Sequence, residues 1–371
     1  MEKTQFIIND FLLFEEFCNL RCDYCGGFYP TEYLFKRRQN RLIYPEVWDS
    51  IRRANKTLEK ILDKTPKVSQ LFELASKTLE EQDKYFEYPI LKLSGGEIFL
   101  VKETMDFIKS MSERFKAVQV LTNGTLLKES HIGDIAELGN VYIQLSLDGH
   151  TLETNKTRTK KAGILKKVLR NVELIQEKNM PLEINCVLTK HNIDYLTEFI
   201  SYMSQYPDIV VFPRTVRGKP AEMLSPENFT IEKFKSLINA DYKALPPKEY
   251  MKRLFSLILH EKRNWKCHVP SFVLGTDMYG NVSRCTLCSN STKLTNILEP
   301  DKEFLLKLEG KTYHNPTKEY SSCPDNCIVH YEMLNLYVEG RIGEEELTKI
   351  PVFRVGGVIE KIKEIKKDLL R

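Results

Sequence analysis

The stretch CNLRCDYC, residues 18–25, places cysteines at positions 18, 22 and 25. Three thiols in a C-x₃-C-x₂-C spacing form a soft donor set of the kind that holds iron–sulfur clusters or zinc. Structural zinc sites and most clusters take four protein ligands, so this stretch leaves one coordination position to be explained. A zinc site completed by a distant His or Cys is one reading. A 4Fe–4S cluster on Cys18, Cys22 and Cys25, with one iron open to a catalytic ligand, is the other.

Upstream, FLLF (11–14) reads as a strand, so the cysteine loop follows a strand end. Further strands are expected at 90–94, 117–122, 141–147, 182–189 and 208–213, separated by amphipathic stretches at 45–61, 102–115, 162–178 and 193–205. In 162–178, Ile164, Val168, Leu169, Val172, Leu174 and Ile175 recur at helical spacing with Lys and Arg between them. Strands alternating with helices predict an α/β fold with a parallel sheet, open or partly closed as a barrel, and chemistry at the carboxyl ends of the strands. Residues 26–43 form an aromatic and basic insertion, and 64–88 add a charged helix. Residues 214–225 read as a linker or substrate-side loop before two helices, at 230–241 and 247–262. A hairpin is expected in SFVLGTDMYGNVSRC, turning near Gly280 and Asn281, and a basic amphipathic helix over 356–370.

Composition limits the function classes. With 42% apolar and 29% charged residues the 371-residue chain can bury a substantial core, and a net charge of +4 gives no reason to expect nucleic acid. No run of about 18 apolar residues is present, and the N-terminal segment lacks signal-peptide architecture, so a cytoplasmic protein without membrane contact is expected. Nine cysteines in a reducing compartment favour metal binding or catalysis over disulfides.

The motifs taken together carry a resemblance. C-x₃-C-x-aromatic-C resembles the signature of the radical S-adenosylmethionine superfamily. That resemblance implies a partial (β/α)6 barrel, a 4Fe–4S cluster whose open iron binds S-adenosylmethionine, reductive cleavage to a 5′-deoxyadenosyl radical, and a reducing partner such as flavodoxin or ferredoxin. Tyr24 stands where the family has an aromatic residue beside the adenine. Gly95, Gly96 and Glu97 in LSGGEIFL resemble the family's Gly-Gly-Glu motif, where glycines admit a ligand closely and the carboxylate can accept from an ammonium. Asn123 follows the next strand. Ser146 and Asp148 in LSLDGH occupy the family position for ribose and methionyl contacts, and Arg158 matches an arginine that pairs with the methionyl carboxylate.

A second cysteine group lies at 267, 285, 288, 323 and 327. The spacing of Cys267, Gly280 and Cys285 resembles the opening of the auxiliary-cluster regions called SPASM and Twitch. The resemblance implies one auxiliary 4Fe–4S cluster on Cys267, Cys285, Cys323 and Cys327. Cys288 is left as a rival ligand, a hydrogen-atom donor or an inert thiol, and zinc competes as the metal of the whole group. Cys186, alone in an apolar strand, reads as core. The expected division is a core over 1–215, a helical linker over 216–262, an auxiliary region over 263–340 and a helical tail over 341–371.

These features imply an enzyme that abstracts hydrogen from a peptide or protein substrate, with a small molecule such as a sugar or cyclitol as the alternative. A cluster loop beginning at residue 18 leaves no room before it for a leader-recognition domain, which weighs against a peptide and is met by a separate or direct recognition mode.

Overall fold

The computed structural model describes residues 3–14, 18–20, 22–25, 68–216, 231–259, 263–283, 285, 293–304 and 327–371. The insertion at 26–43, the stretch at 45–61 and most of the loop at 214–225 lie outside them, as do Cys288 and Cys323. Two compact units are present. The first gathers residues 1–19, 27–115 and 270–322, and the second 20–26, 116–269 and 323–371.

The first unit is built on β2 (Ile8–Phe14), which pairs in parallel with β4 (Ile90–Gly95) on one side and β9 (Val273–Asp277) on the other. Ile8 thus sits beside both Ile90 and Val273. β2 starts three residues earlier than FLLF suggests, because the polar Asn9 and Asp10 are also buried in it. Their partners explain this. Asn9 donates to Gln82 Oε1 at 2.6 Å and accepts from Thr276 Oγ1 at 2.7 Å, while Asp10 accepts from Ser94 Oγ at 2.7 Å. Buried polar groups so satisfied carry little penalty.

β10 (Asn281–Ser283) and β11 (Lys293–Asn296) continue this sheet antiparallel beyond β9. The hairpin turns at Gly280, whose φ of +86° favours glycine. Helix α1 (Val68–Gln82) supplies Leu71, Leu74, Ala75 and Leu79 to the core at helical spacing. The charged stretch expected to be helical throughout 64–88 ends differently, in the two-residue strand β3 (Phe86–Glu87), paired in parallel with β1 (Thr4–Gln5). Helix α2 (Thr104–Arg114) follows β4.

The second unit carries four parallel strands in chain order, β5 (Ala117–Thr122), β6 (Val141–Ser146), β7 (Leu182–Val187) and β8 (Ile209–Arg214). Their crossovers are α3 (Glu129–Leu138), α4 (Ala162–Glu177) and α5 (Leu196–Met203). α4 ends in a Schellman motif. Asn179 takes φ +56°, its N–H donates to Gln176 O at 2.9 Å, and Met180 N–H donates to Ile175 O at 3.1 Å.

Val118, Val120, Ile143, Leu145 and Ile184 alternate with a second, polar set on the same strands. Gln119 donates to Glu183 Oε2 at 3.0 Å, Gln144 donates to Glu183 Oε1, and His330 Nδ1 lies 3.6 Å from that oxygen. All four side chains are buried. Helices α6 (Ile231–Ile238), α7 (Lys248–Ile258), α8 (Glu332–Val338), α9 (Glu344–Leu347) and α10 (Val358–Leu369) complete the unit.

The six strands expected from the sequence are all present, and the fold is α/β with a parallel core. Among the described residues no pairing closes these strands into a full barrel, as a partial barrel requires. Among them, too, no helix is long and apolar enough to cross a membrane.

Candidate active site

The cluster loop is a tight turn. Cys25 N–H donates to Cys22 O at 3.0 Å, and Asp23 N–H donates to Thr157 O at 3.0 Å, tying the loop to the polar segment after β6. Tyr24 strengthens the tie, because its hydroxyl donates to Asp148 Oδ2 at 2.5 Å. Arg158 meets the same carboxylate with two donors, Nε to Oδ2 and Nη2 to Oδ1, each at 3.3 Å. The fourth donor is Val187 N–H at the end of β7, 2.9 Å from Asp148 Oδ1.

Asp148 is held from its backbone as well. Its N–H donates to Asn155 Oδ1 at 3.0 Å, and its carbonyl accepts from Asn192 Nδ2 at 2.8 Å. Asn155 and Asn192 were not foreseen. Their only sequence signal is a polar residue in a loop beyond a strand end.

Electrostatics follow from this packing. Arg158 has a side chain only 9% exposed and Asp148 one fully buried. Burial of the hydroxyl end of Tyr24 pushes its phenol well above the usual range. Arg158 opposes the shift, while Asp148 and Cys22 add to it, so the hydroxyl stays a donor. Burial works against the charge of Arg158, but Asp148, Tyr24 and Cys22 outweigh it and hold the guanidinium firmly cationic. The guanidinium also lies 5.6 Å from the Tyr24 ring centroid.

The remaining sequence-derived positions fall at strand ends. In the first unit, Gly95 takes φ +146°, a conformation that disfavours a side chain. Gly96 follows it, and Glu97 is buried with Oε1 accepting Phe99 N–H at 3.1 Å to cap a short 3₁₀ turn. In the second unit, Asn123 Oδ1 accepts from both the N–H and the hydroxyl of Thr125, at 2.9 and 2.6 Å, fixing the turn after β5. Ser146 ends β6, half-buried. Tyr24, Asp148 and Arg158 are therefore brought into direct contact, while Asn123 serves its own turn.

Of the cysteines, Cys18 belongs to the first unit and Cys22 and Cys25 to the second. Cys267 and Cys327 belong to the second unit, and Cys285 to the first. Cys186 is fully buried, and burial, with help from Asp148, pushes its thiol up and keeps it neutral. No disulfide joins the described cysteines, and among the described residues no three His, Cys, Asp or Glu side chains converge as a metal site.

The Radical SAM superfamily profile matches residues 12–203, just over half of the 371-residue chain and the whole stretch from Cys18 to Arg158. The chain belongs to the radical SAM superfamily. Radical SAM proteins bind a 4Fe–4S cluster and S-adenosylmethionine. The loop fits that group: its thiolates are soft donors for iron, and the cationic Arg158 lies close enough to Cys22 to feel its charge.

Among similar proteins is the AdoMet-dependent heme synthase of Methanosarcina barkeri, 25% identical over 146 residues, or 38% of this chain and 42% of that protein. The sporulation killing factor maturation protein SkfB of Bacillus subtilis is 26% identical over 110 residues, 30% of this chain and 27% of its own length. The PqqA peptide cyclase of Granulibacter bethesdensis is 29% identical over 124 residues, 33% of each chain. This radical SAM chain thus spans less than two thirds of these relatives. The solved structure of native anSMEcpe with bound AdoMet has a TM-score of 0.52 at 15% identity, covering 98% of this chain and 100% of that one, a likeness of fold.

Proposed function

We propose that this protein reductively cleaves S-adenosylmethionine and abstracts hydrogen from a peptide or protein substrate, leaving a cross-link, thioether, epimerised or oxidised residue. When bound, the cluster and S-adenosylmethionine supply the hydrogen-abstracting radical. The observation that carries the reading is the Tyr24–Asp148–Arg158 contact. It pins the turn between Cys22 and Cys25 to the carboxyl ends of β6 and β7, the end of the strands where α/β enzymes work.

In this reading Asp148 acts chiefly by holding Tyr24 and Arg158, since its four accepted hydrogen bonds fill the capacity of a carboxylate. Gly95 and Gly96 let the chain pass close to a ligand, and Glu97 and Ser146 are the polar groups offered to the amine, carboxylate or ribose of S-adenosylmethionine. Asn123 is assigned to shaping the loop that borders it. An auxiliary 4Fe–4S cluster is assigned to Cys267, Cys285, Cys323 and Cys327, with Cys288 as alternate ligand or hydrogen donor. A flavodoxin or ferredoxin would deliver the electron.

The peptide assignment is supported by two relatives whose names describe a maturation protein and a peptide cyclase. The basic, aromatic stretch at 26–43 suits an acidic, extended chain. A small-molecule substrate is the second reading, favoured by the heme synthase among the relatives. Anaerobically reconstituted protein with dithionite and S-adenosylmethionine should release 5′-deoxyadenosine. Absence of that product with the cluster intact would refute the reaction. Deuterium carried into 5′-deoxyadenosine from a labelled peptide encoded beside the gene supports the first substrate class, and transfer only from a small molecule supports the second.

A further inference from the structure

Helix α3 follows β5 and helix α4 follows β6, so both begin at the carboxyl ends of the strands, the end that carries Tyr24, Asp148 and Arg158. Their first turns hold a group of lysines. Lys128 is the N-cap residue of α3 and Lys161 that of α4, with Lys160 just before it and Lys166 and Lys167 one turn further on. All five are exposed. Side-chain contacts set the two helix starts next to each other. Lys167 Nζ donates to Thr125 O at 2.8 Å, and Asn171 Nδ2 donates to Gly124 O and Leu127 O at 2.9 and 3.2 Å. His131 lies between the two groups. Burial lowers its pKa, and Lys128 and Lys167 both add to the shift while Asp134 opposes it, so lysines from both helices act on one ring.

The fold gives no reason for this arrangement. Elsewhere helical bases meet an acid one turn away, as in Lys235 with Glu232 at 3.4 Å, Lys252 with Glu249 at 2.5 Å and Arg170 with Glu173 at 2.9 Å. Among the described residues none of the five lysines forms an ion pair. A helix N-terminus also carries the positive end of the helix dipole and disfavours cations. α4 nevertheless has no acid in its first turn and no base in its last, and neither helix start receives a side-chain cap hydrogen bond. Glu129 is the acid in the first turn of α3. Net of Glu129 the group carries +4, equal to the formal charge of the whole chain, so the rest of the sequence balances. Charge set against the dipole and against its own neighbours is relieved by an anionic partner. Between the pairs at 160–161 and 166–167, Ala162 and Gly163 are exposed, and a Cβ on Gly163 would meet nothing within 4 Å. An extended chain has room to pass there at backbone distance, its carboxylates meeting lysines on either side.

We propose that the lysines at the starts of α3 and α4 form a docking surface for an acidic, extended segment of the peptide substrate, drawing it by charge towards the carboxyl ends of β5 and β6. This rests on the peptide reading of the substrate.

The test titrates the full chain into a fluorescein-labelled Glu-Gly repeat peptide and reads anisotropy, with melting temperature measured on the same preparations. Wild-type binding should weaken as salt rises, because exposed charges are screened. Lys128→Asp combined with Lys161→Asp reverses two charges at N-cap positions, where aspartate is a favoured cap. Affinity should therefore fall by about tenfold or more while the melting temperature rises. Lys160→Gln combined with Lys166→Gln removes charge without touching the caps and should weaken binding to a smaller extent. A merely structural role would not raise stability while removing affinity. Unchanged affinity in the Asp variant, a fall in its melting temperature, or equal wild-type binding of a neutral Gly-Ser repeat peptide would each overturn the proposal. Loss of reduction by flavodoxin in variants that still hold the acidic peptide would assign the surface to the electron donor and overturn it too. The underlying reading fails separately. If the wild type transfers deuterium only from a small molecule, the peptide reading falls and the docking surface with it. If a peptide is labelled but both variants bind the acidic probe as the wild type does, only the docking surface falls.

Discussion

Asp148 shows how one side chain can organise a loop it does not belong to. Its carboxylate receives Tyr24, both forks of Arg158 and the N–H of Val187, and it balances a guanidinium that is itself almost wholly buried. Asp148→Asn should therefore strand Arg158 without its counter-charge and destabilise the protein by about 3 kcal/mol, measurable by urea unfolding. Tyr24→Phe removes one hydrogen bond and keeps the ring, so its cost should be nearer 1 kcal/mol. A loss as large as that of Asp148→Asn would show that the hydroxyl does more than tie the loop. At His150 the expected effect is one of pH. Its ring stacks on Tyr202 with centroids 4.7 Å apart, and burial lowers its pKa from the ordinary 6.5, with Glu198 opposing. A depressed pKa gives stability that is complete above about pH 6.5 and is lost as the pH falls through the folded-state value, because the unfolded chain takes the proton first. The wild type should lose more thermal stability between pH 7.5 and 5 than His150→Phe does. Equal losses would remove His150 as the cause.

At the scale of elements, what could be foreseen was what is encoded locally. VYIQLSL and LEINCVLT are rich in β-branched and apolar residues bounded by turn residues, and both form strands near the expected limits. The partner of β2 was not foreseeable in that way, because β9 lies more than 260 residues further on and pairs with it in parallel, a contact that no local pattern records. Helix α3 escaped notice because Ile132 and Ile135 are its only buried apolar residues, too narrow a stripe to stand out. The hairpin did announce itself, through Gly280. A Cβ there would meet Asn296 Oδ1 at 2.7 Å and Leu298 Cγ at 2.8 Å, with the backbone already at φ +86°. Gly280→Ala should cost at least 1–2 kcal/mol, roughly the left-handed penalty alone, with more from crowding. Denaturant unfolding would test this, and a change of under about 0.5 kcal/mol would mean that the turn can relax.

For the molecule as a whole, the candidate site was legible in its chemistry and much less so in its supports. Cysteine spacing pointed to a metal, and membership of the radical SAM superfamily supplies one, a 4Fe–4S cluster that works with S-adenosylmethionine. The amides that hold Asp148, those of Asn155 and Asn192, carry no local mark, since Asn is ordinary in any loop. The buried set of Gln119, Gln144, Glu183 and His330 was hidden for a related reason, each lying among mostly apolar neighbours whose pattern reads as core. The two cysteine groups, by contrast, make a demand on the entire chain. If each holds a cluster of equal size, changing Cys18, Cys22 and Cys25 to Ala should remove about half of the iron and abolish 5′-deoxyadenosine. Changing Cys267 and Cys327 to Ala should remove about the other half while 5′-deoxyadenosine still forms without modified product. The second outcome follows because a cluster apart from S-adenosylmethionine is not needed for its cleavage, only for what happens to the substrate afterwards. Iron analysis and product chromatography on the same preparations decide it. If the second variant keeps full iron, or still makes product at the wild-type rate, the auxiliary cysteines have no part in the chemistry.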